Sequence, residues 1–599
     1  MTLLDWFIVC VYFIIVGAIG IAFARRAGRN IGEFFISGRS LPWWLAGTSM
    51  VATTLAVDTP LAVAGMVASN GVAGNWLWWN MVMSGILTVF FYAHLWRRAE
   101  VLTDAEFTEI RYSGGPAALL RGFRALYQAL PVNLIIMGWV NLAMITILNV
   151  VLGVGPVQAF AFLFVLTMAY SLISGLWGVV VTDFLQFTIA IVGSIVLAVY
   201  AVGAVGGLDT LVARLPEHYG SADAALALLP QRGAMWMPMT AFLIYLSVQW
   251  WATFYPGSEP GGGGYVAQRI FSARTERDGV LATLWFNIAH YAVRPWPWIV
   301  TALAITVLYP GADPAQSYVQ AVVDLLPPGV TGLLIAAFAA AYMSTISTQL
   351  NWGASYLVND VYHRFIEPDA SDRKLVRVAR FATAVIFLLS AGVTWWLHRY
   401  GSIEGAWRIL IALGAGTGLV YILRWYWWRI NAWSEISAMT ASLLLFVAFT
   451  RGGVFDPLDP EGAAVLTLVI TILATEVWVA VTLVTRPAPE ATLIAFYRRV
   501  RPGGAGWRRV ATAAGFPDER IAGGALSWVN WIAGVVSVYA TLFGVGKLLF
   551  GSPFEATAYL VVAAVAFAWI AHSLRRGGTE RPPPPAGNAT APITASAGR

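Results

Sequence analysis

The stretch "VATTLAVDTPLAVAGMVA", residues 51–68, is apolar enough to sit in a bilayer, yet it carries Asp58 and, two residues on, Pro60. A charge near the bilayer centre costs at least about 2.5–3.5 kcal/mol on insertion scales, and a proline in a helix interior costs roughly 3 kcal/mol. Pro60 has no N–H to donate and its ring displaces the carbonyl four residues earlier, so the Ala56 carbonyl is expected to lose its helical partner. In lipid that oxygen needs another partner. Two readings fit. In one, a cation binds at the break, held by unwound carbonyls and the negative end of a half-helix, with Asp58 adding charge nearby. In the other, the segment is a kink whose freed carbonyl takes a Ser, a Thr or a water, and Asp58 faces an aqueous vestibule.

Around this stretch the composition is that of a membrane protein. Of 599 residues, 58% are hydrophobic and 11% charged, against about 25% charged in a soluble domain. Apolar runs long enough to span recur about fifteen times, at roughly 20 residues per crossing. The net charge of +6 does not indicate nucleic acid, because the basic residues sit in short loops between apolar runs, where they orient helices. Arg25, Arg26, Arg29, Arg97, Arg98, Arg111, Arg121, Arg124, Arg269, Arg274, Arg277, Arg364 and Arg373 fall on one side of the expected topology, which predicts an N-terminus outside and a C-terminus in the cytoplasm. The first run, about 20 residues ending in arginines, is too long for a cleaved signal peptide and reads as a retained helix. Cys10 is the one cysteine, so no disulfide framework exists.

A second segment bears on the cation reading. In "IAAFAAAYMSTISTQLNWGASYLVNDVYHRF", residues 335–365, small residues allow close approach of another helix, and Ala341, Ser344, Thr345 and Thr348 share one face at three- and four-residue spacing. That face offers oxygens to a hard cation. The competing reading is hydroxyls bonded back to their own turn.

"AVDT" on a broken helix, followed later by "AAYMST", resembles the sodium:solute symporter family. "SGLWGVVVTDFLQF" at 174–187 and "YVAQRIFSARTERDG" at 265–279 resemble two further segments of that family, in the same order. The resemblance implies an all-α, polytopic fold with a five-plus-five inverted-repeat core, the first helix of each half interrupted. The second break is then expected in 247–269, near Pro256, although Gly261 to Gly264 also read as a flexible cytoplasmic loop. The resemblance further implies a sodium site formed by the carbonyls of Ala56, Thr59 and Ala341 and the hydroxyls of Ser344 and Thr345. Asp58 and Asp183 fall where the family carries acidic residues tied to the ion and its path to the cytoplasm. Pro60 replaces a substrate-contacting serine of the proline transporters, which puts proline in doubt as substrate. Candidate substrate residues are Asn80, Gln249, Trp250, His290 and Arg294; the last two, four apart, read as two potential cations on one helical face. Pairing with Asp58 or Asp183, or snorkelling of Arg294, are the other readings of that pair.

The expected organisation is an extra helix at 1–30, the transport core at 40–430, accessory helices at 431–484, a cytoplasmic linker at 485–526, two further helices at 527–575 and a disordered tail at 576–599. The expected activity is sodium-driven uptake of a small organic solute (sugar, amino acid or organic acid) through the bacterial inner membrane. A proton-coupled transporter and a transporter-like solute sensor are the alternatives. The expected partners are the solute, the sodium ion and the lipid bilayer, with no obligatory protein partner. No HExxH, nucleophile elbow or phosphate loop occurs, so an enzyme is not expected.

Overall fold

The computed structural model describes residues 1–27, 39–101, 103–171, 176–231, 237–255, 259–517, 519 and 524–576. The expected tail at 576–599 thus lies almost wholly outside the described residues, as do Pro256 and Arg29. Among the described residues the chain is helical throughout, with a single isolated bridge between Leu41 and Ala273. Each of the fifteen apolar runs corresponds to a helical segment. Among the described residues ten helices are long and apolar enough to cross a membrane, and twelve are when each of two bent pairs counts as one span. The remaining runs form the helices Leu3–Ala27 and Pro156–Ser171 and the interrupted helix that begins at Met239.

The two halves repeat one order of elements. In the first, Trp43–Thr53 and Asp58–Asn70 form one span bent by 61°, followed by the helix Val72–Ala99, the short helix Glu106–Arg111 and the long helix Gly114–Leu152. In the second, an interrupted helix runs from Met239 to Ala252 and resumes at Gly264–Ser272, followed by Glu276–Leu308, the short helix Pro314–Leu325 and the long helix Val330–Ile366. This is the five-plus-five architecture, and both opening helices are broken.

The first broken span lies at the centre. Its first half packs on Glu276–Ile288, Leu176–Val205 and Val330–Ser355, its second half on Pro295–Leu308, Asn133–Leu152 and Ile403–Gly414. Irregular backbone at membrane depth is tolerated there because protein surrounds it on every side.

Pro60 is not where a helix-interior reading puts it. The break spans residues 54–57, and Pro60 occupies the first turn of the helix Asp58–Asn70, where its missing N–H is not needed. The Ala56 carbonyl is not orphaned either: it accepts from the Thr59 N–H at 3.2 Å in the turn. One lone pair of that oxygen is thereby used and one remains.

Gly261 to Gly264 do not form a flexible loop. All four are buried, and Gly261 and Gly262 adopt φ of 76° and 75°, the left-handed region that favours glycine. A Cβ on Gly262 would meet Trp96 Nε1 at 2.6 Å, and the same indole N–H donates to the Gly261 carbonyl at 2.7 Å. The run is a tight turn threaded between Trp96 and Tyr421.

The basic loops meet at one end of the bundle. Arg98 pairs with Glu276 at 2.9 Å, Arg97 donates to the Ala273 carbonyl at 2.9 Å, and Arg121 bridges Glu109 at 2.6 Å and Asp360 at 2.5 Å. Beneath them Arg124 pairs with Asp104 at 2.9 Å, while Glu435, fully buried, faces Arg424 at 3.4 Å and Arg124 at 3.5 Å and accepts from the Tyr112 hydroxyl at 2.7 Å. Residues 485–526, expected as a linker, carry the helices Glu490–Val500 and Arg508–Ala514. Trp507 is fully buried, donates to the Trp425 carbonyl at 2.6 Å and lies under the Arg111 guanidinium, 4.8 Å from its ring centre. The segment is a folded cap on the basic end because its aromatic residues supply apolar area that the buried arginines can stack upon.

Candidate functional site

The break at 54–57 opens onto a narrow cavity of about 60 Å³. Ala56, Asp58 and Thr59 line it from the broken span, Thr345 and Gln349 from Val330–Ser355, and His290, Tyr291 and Arg294 from the helix after the second break. Trp78, Trp139, Tyr255, Tyr265 and Trp407 supply aromatic wall.

Thr345 breaks the usual rule for hydroxyls in membrane helices. Thr53, Thr283 and Thr301 each donate to the carbonyl four residues earlier, as expected of such residues. Thr345 Oγ1 is buried and has no hydrogen-bond partner. Ala341 and Ser344, on the same helix, are buried as well, 8% and 6% exposed. The structure therefore brings Ala56 and Thr59 to one cavity with Thr345, with Ala341 and Ser344 on the adjoining turn. Thr345 is not alone: Gln349 Oε1 and Arg294 Nε, on residues that line the same cavity, also have no partner, and Asp58 lies there beside the Trp407 indole N–H. An unmet buried polar group costs about 1–3 kcal/mol. Three around one cavity mark a place that suits a polar ligand.

His290 and Arg294 owe their placement to a widened turn. Pro295 cannot donate, and residues Ala289–Val293 form a π-turn in which the Arg294 N–H reaches back five residues to the Ala289 carbonyl at 3.2 Å. Such turns are common at functional sites. Arg294 donates through Nη1 to the Val51 carbonyl at 3.4 Å and to Thr54 Oγ1 at 3.3 Å, and through Nη2 to His290 Nε2 at 3.3 Å. Its guanidinium lies over Trp298, 5.3 Å from the ring centre. At 1% exposure it does not snorkel. Because a guanidinium can only donate, His290 Nε2 is the acceptor; Nδ1 then carries the proton and faces Thr54 Oγ1 at 3.0 Å. Thr54 in turn donates to the Val51 carbonyl at 2.8 Å. His290 is therefore neutral, and the two cations expected on this face are one. Among the described residues no cation lies within ion-pair distance of Asp58.

Three candidates lie off the cavity. Asn80 spends its amide on the carbonyls of Trp76 at 2.8 Å and Leu77 at 3.0 Å, and Gln249 donates to the Leu77 carbonyl at 3.2 Å. Trp250 stacks on Trp531, ring centres 5.6 Å apart, with its N–H on the Leu246 carbonyl. Gln249 and Trp250 close contacts between helices and Asn80 bonds back to its own turn, and none of the three lines the cavity. Asp183 belongs to the helix Leu176–Val205, and its side chain lies outside the described residues. Of the lining residues absent from the sequence reading, Gln349 carried a signal, since it follows Thr345 by one helical turn. Trp78 stands two residues from Asn80. Tyr291 adjoins His290, Tyr255 adjoins Pro256 and Tyr265 opens the family-like segment 265–279, while Trp139 and Trp407 carried no signal.

Comparison with known proteins agrees with this architecture. The sequence profile described as the sodium:solute symporter family matches residues 34–443. The sodium/glucose cotransporter of Vibrio parahaemolyticus is 24% identical over 481 residues, covering 75% of this chain and 86% of that protein. Sodium/glucose cotransporter 1 of Oryctolagus cuniculus is 22% identical, covering 82% of this chain and 80% of its own. Among solved structures, a Na+-coupled sialic acid symporter in a substrate-bound outward-open state matches with a TM-score of 0.63 at 19% identity, over 82% of this chain and 99% of that one.

Proposed function

The chain belongs to the sodium:solute symporter family, and from that premise we propose that it is a sodium-driven symporter of a small organic solute, working by alternating access across the membrane. One observation carries the reading: Thr345, a membrane-helix threonine with an unmet hydroxyl, faces the unwound turn at Ala56 in a shared cavity. The carbonyls of Ala56, Thr59 and Ala341 and the hydroxyls of Ser344 and Thr345 hold the sodium ion, an all-oxygen set suited to a hard cation. The second lone pair of Ala56, left after the Thr59 N–H, points to the same use. Asp58 adds negative charge beside it, and Asp183 stands on the ion's route to the cytoplasm.

Bound sodium cross-links the broken span to the helix Val330–Ser355, which favours one arrangement of the two. Solute then completes the cavity, and each ligand raises the other's affinity by the same factor. The transport core is 40–430, with the helices outside it accessory. The arginine-rich end that gathers Arg97, Arg98, Arg121 and Arg124 is the cytoplasmic one, which puts the N-terminus outside, the C-terminus inside, and the protein in the bacterial inner membrane. A proton-coupled mode is a second reading, supported by the buried Asp58 carboxylate, which has no cation in contact with it among the described residues.

Purified protein in liposomes tests both. Uptake of a panel of labelled sugars, amino acids and organic acids is measured under an inward sodium gradient, and again with potassium and an inward proton gradient. Sodium-dependent uptake that is weakened in Ser344→Ala and Thr345→Ala supports the assignment. Uptake that ignores sodium and follows pH replaces it with the proton-coupled mode.

A further inference from the structure

We propose that the transported solute bears a carboxylate, which Arg294 binds through the edge of its guanidinium that carries Nε. The inference rests on the symporter reading above and narrows it. Arg294 is 1% exposed, and its two terminal nitrogens are fixed, Nη1 by Val51 and Thr54 and Nη2 by His290. The plane of the guanidinium is thereby set, Nε–H is left unmet, and Arg294 lines the cavity. A guanidinium cannot shed its charge in a protein, and among the described residues no carboxylate lies within ion-pair distance of it. Asp58 lines the same cavity and acts on Arg294 only through space, so the buried, oriented guanidinium has no anion in contact with it, and its planar fork matches a carboxylate.

Two further features set the anion's surroundings. His290 is spent as acceptor from Arg294, with its other nitrogen on Thr54, so it acts as a positioning residue and adds no second positive charge. One cation suits a monocarboxylate and not a dianion. On the other wall Gln349 Oε1 is an unmet acceptor, and the Asp58 carboxylate, beside the Trp407 indole N–H, is a further acceptor. The rest of the solute therefore carries at least one hydrogen-bond donor, as a 2-hydroxy or 2-amino acid does. A neutral sugar can accept from Nε–H through a hydroxyl oxygen but brings no charge to offset Arg294.

Matched probes isolate the carboxylate. Detergent-purified protein is screened by thermal shift, in sodium and in potassium, with lactate against lactamide, alanine against alaninamide, proline against prolinamide, and with glucose and galactose. A sodium-dependent shift for at least one acid, at least tenfold weaker in concentration dependence for its amide, is the expected result. Arg294→Gln, its folding checked by elution profile, loses that shift, and Arg294→Lys recovers at most part of it. The wild-type pairs decide the matter even if both variants fail to fold. Stabilisation by a sugar or an amide, or by no acid at all while ²²Na binding is intact, overturns the carboxylate proposal and leaves the symporter reading standing. Absence of ²²Na binding overturns the symporter reading itself, and this inference with it.

Discussion

Thr345→Val separates a sodium ligand from a packing residue. The threonine is 5% exposed and its hydroxyl is unpartnered, which without ligand costs the folded protein about 1–3 kcal/mol. Valine keeps the branched shape and removes the hydroxyl, so in potassium the variant is expected to be more stable than the wild type by about that amount. In sodium the order changes. A ligand at a hundred times its dissociation constant stabilises the native state by about 2.7 kcal/mol, and a variant short of one ligand oxygen forfeits most of this. The wild type should therefore gain stability from potassium to sodium, while the valine variant starts higher and gains little. The assay is unfolding in detergent followed by tryptophan fluorescence, at matched ionic strength and fixed scan rate, since membrane-protein unfolding is often kinetically governed. A variant destabilised in potassium, with the sodium increment intact, would refute the reasoning, for it would mean that the hydroxyl packs and does not coordinate.

Three further outcomes are expected. Gly262→Ala puts a Cβ 2.6 Å from Trp96 Nε1 at a φ of 75°; it should cost about 1–2 kcal/mol of backbone strain and about 0.5–1.5 kcal/mol for the displaced hydrogen bond, whereas Gly153→Ala, at φ 66° with open space around it, should cost the strain alone in the same unfolding assay. Glu435→Gln leaves Arg424 and Arg124 short of a buried counter-charge and should cost about 3–5 kcal/mol, while Lys547→Gln, which breaks an exposed pair with Glu555, should cost at most about 1 kcal/mol; comparing their unfolding midpoints checks both. Trp507→Ala should cost about 3–5 kcal/mol and expose residues 490–516 to limited proteolysis, and an unchanged digestion pattern would contradict the view of that segment as a packed cap.

Features written in adjacent residues are legible in the sequence alone. The apolar runs and their spacing define helices because a crossing needs about 20 apolar residues, and Asp58 with Pro60 marks the broken span because the two together are costly in an unbroken membrane helix. The shared face of Ala341, Ser344 and Thr345 follows from helical spacing, which acts within two turns. The sequence misjudges the role of Pro60, because proline chemistry says a helix cannot pass through the residue but not whether the helix ends or begins there. It misjudges the glycine run, whose left-handed turn is enforced by Trp96 and Tyr421 from distant helices.

What only the tertiary structure decided are properties of encounters. Thr54 and His290 are 236 residues apart, and the single protonation pattern of the Arg294–His290–Thr54 chain exists only because a donor-only group was brought to an imidazole nitrogen. Likewise Gln249 looks free to bind solute until the fold hands it the carbonyl of Leu77, 172 residues away. A linear pattern records what a residue can offer its own turn. Whether the offer is taken up by a neighbour or left open to a ligand depends on which helices the fold places beside it.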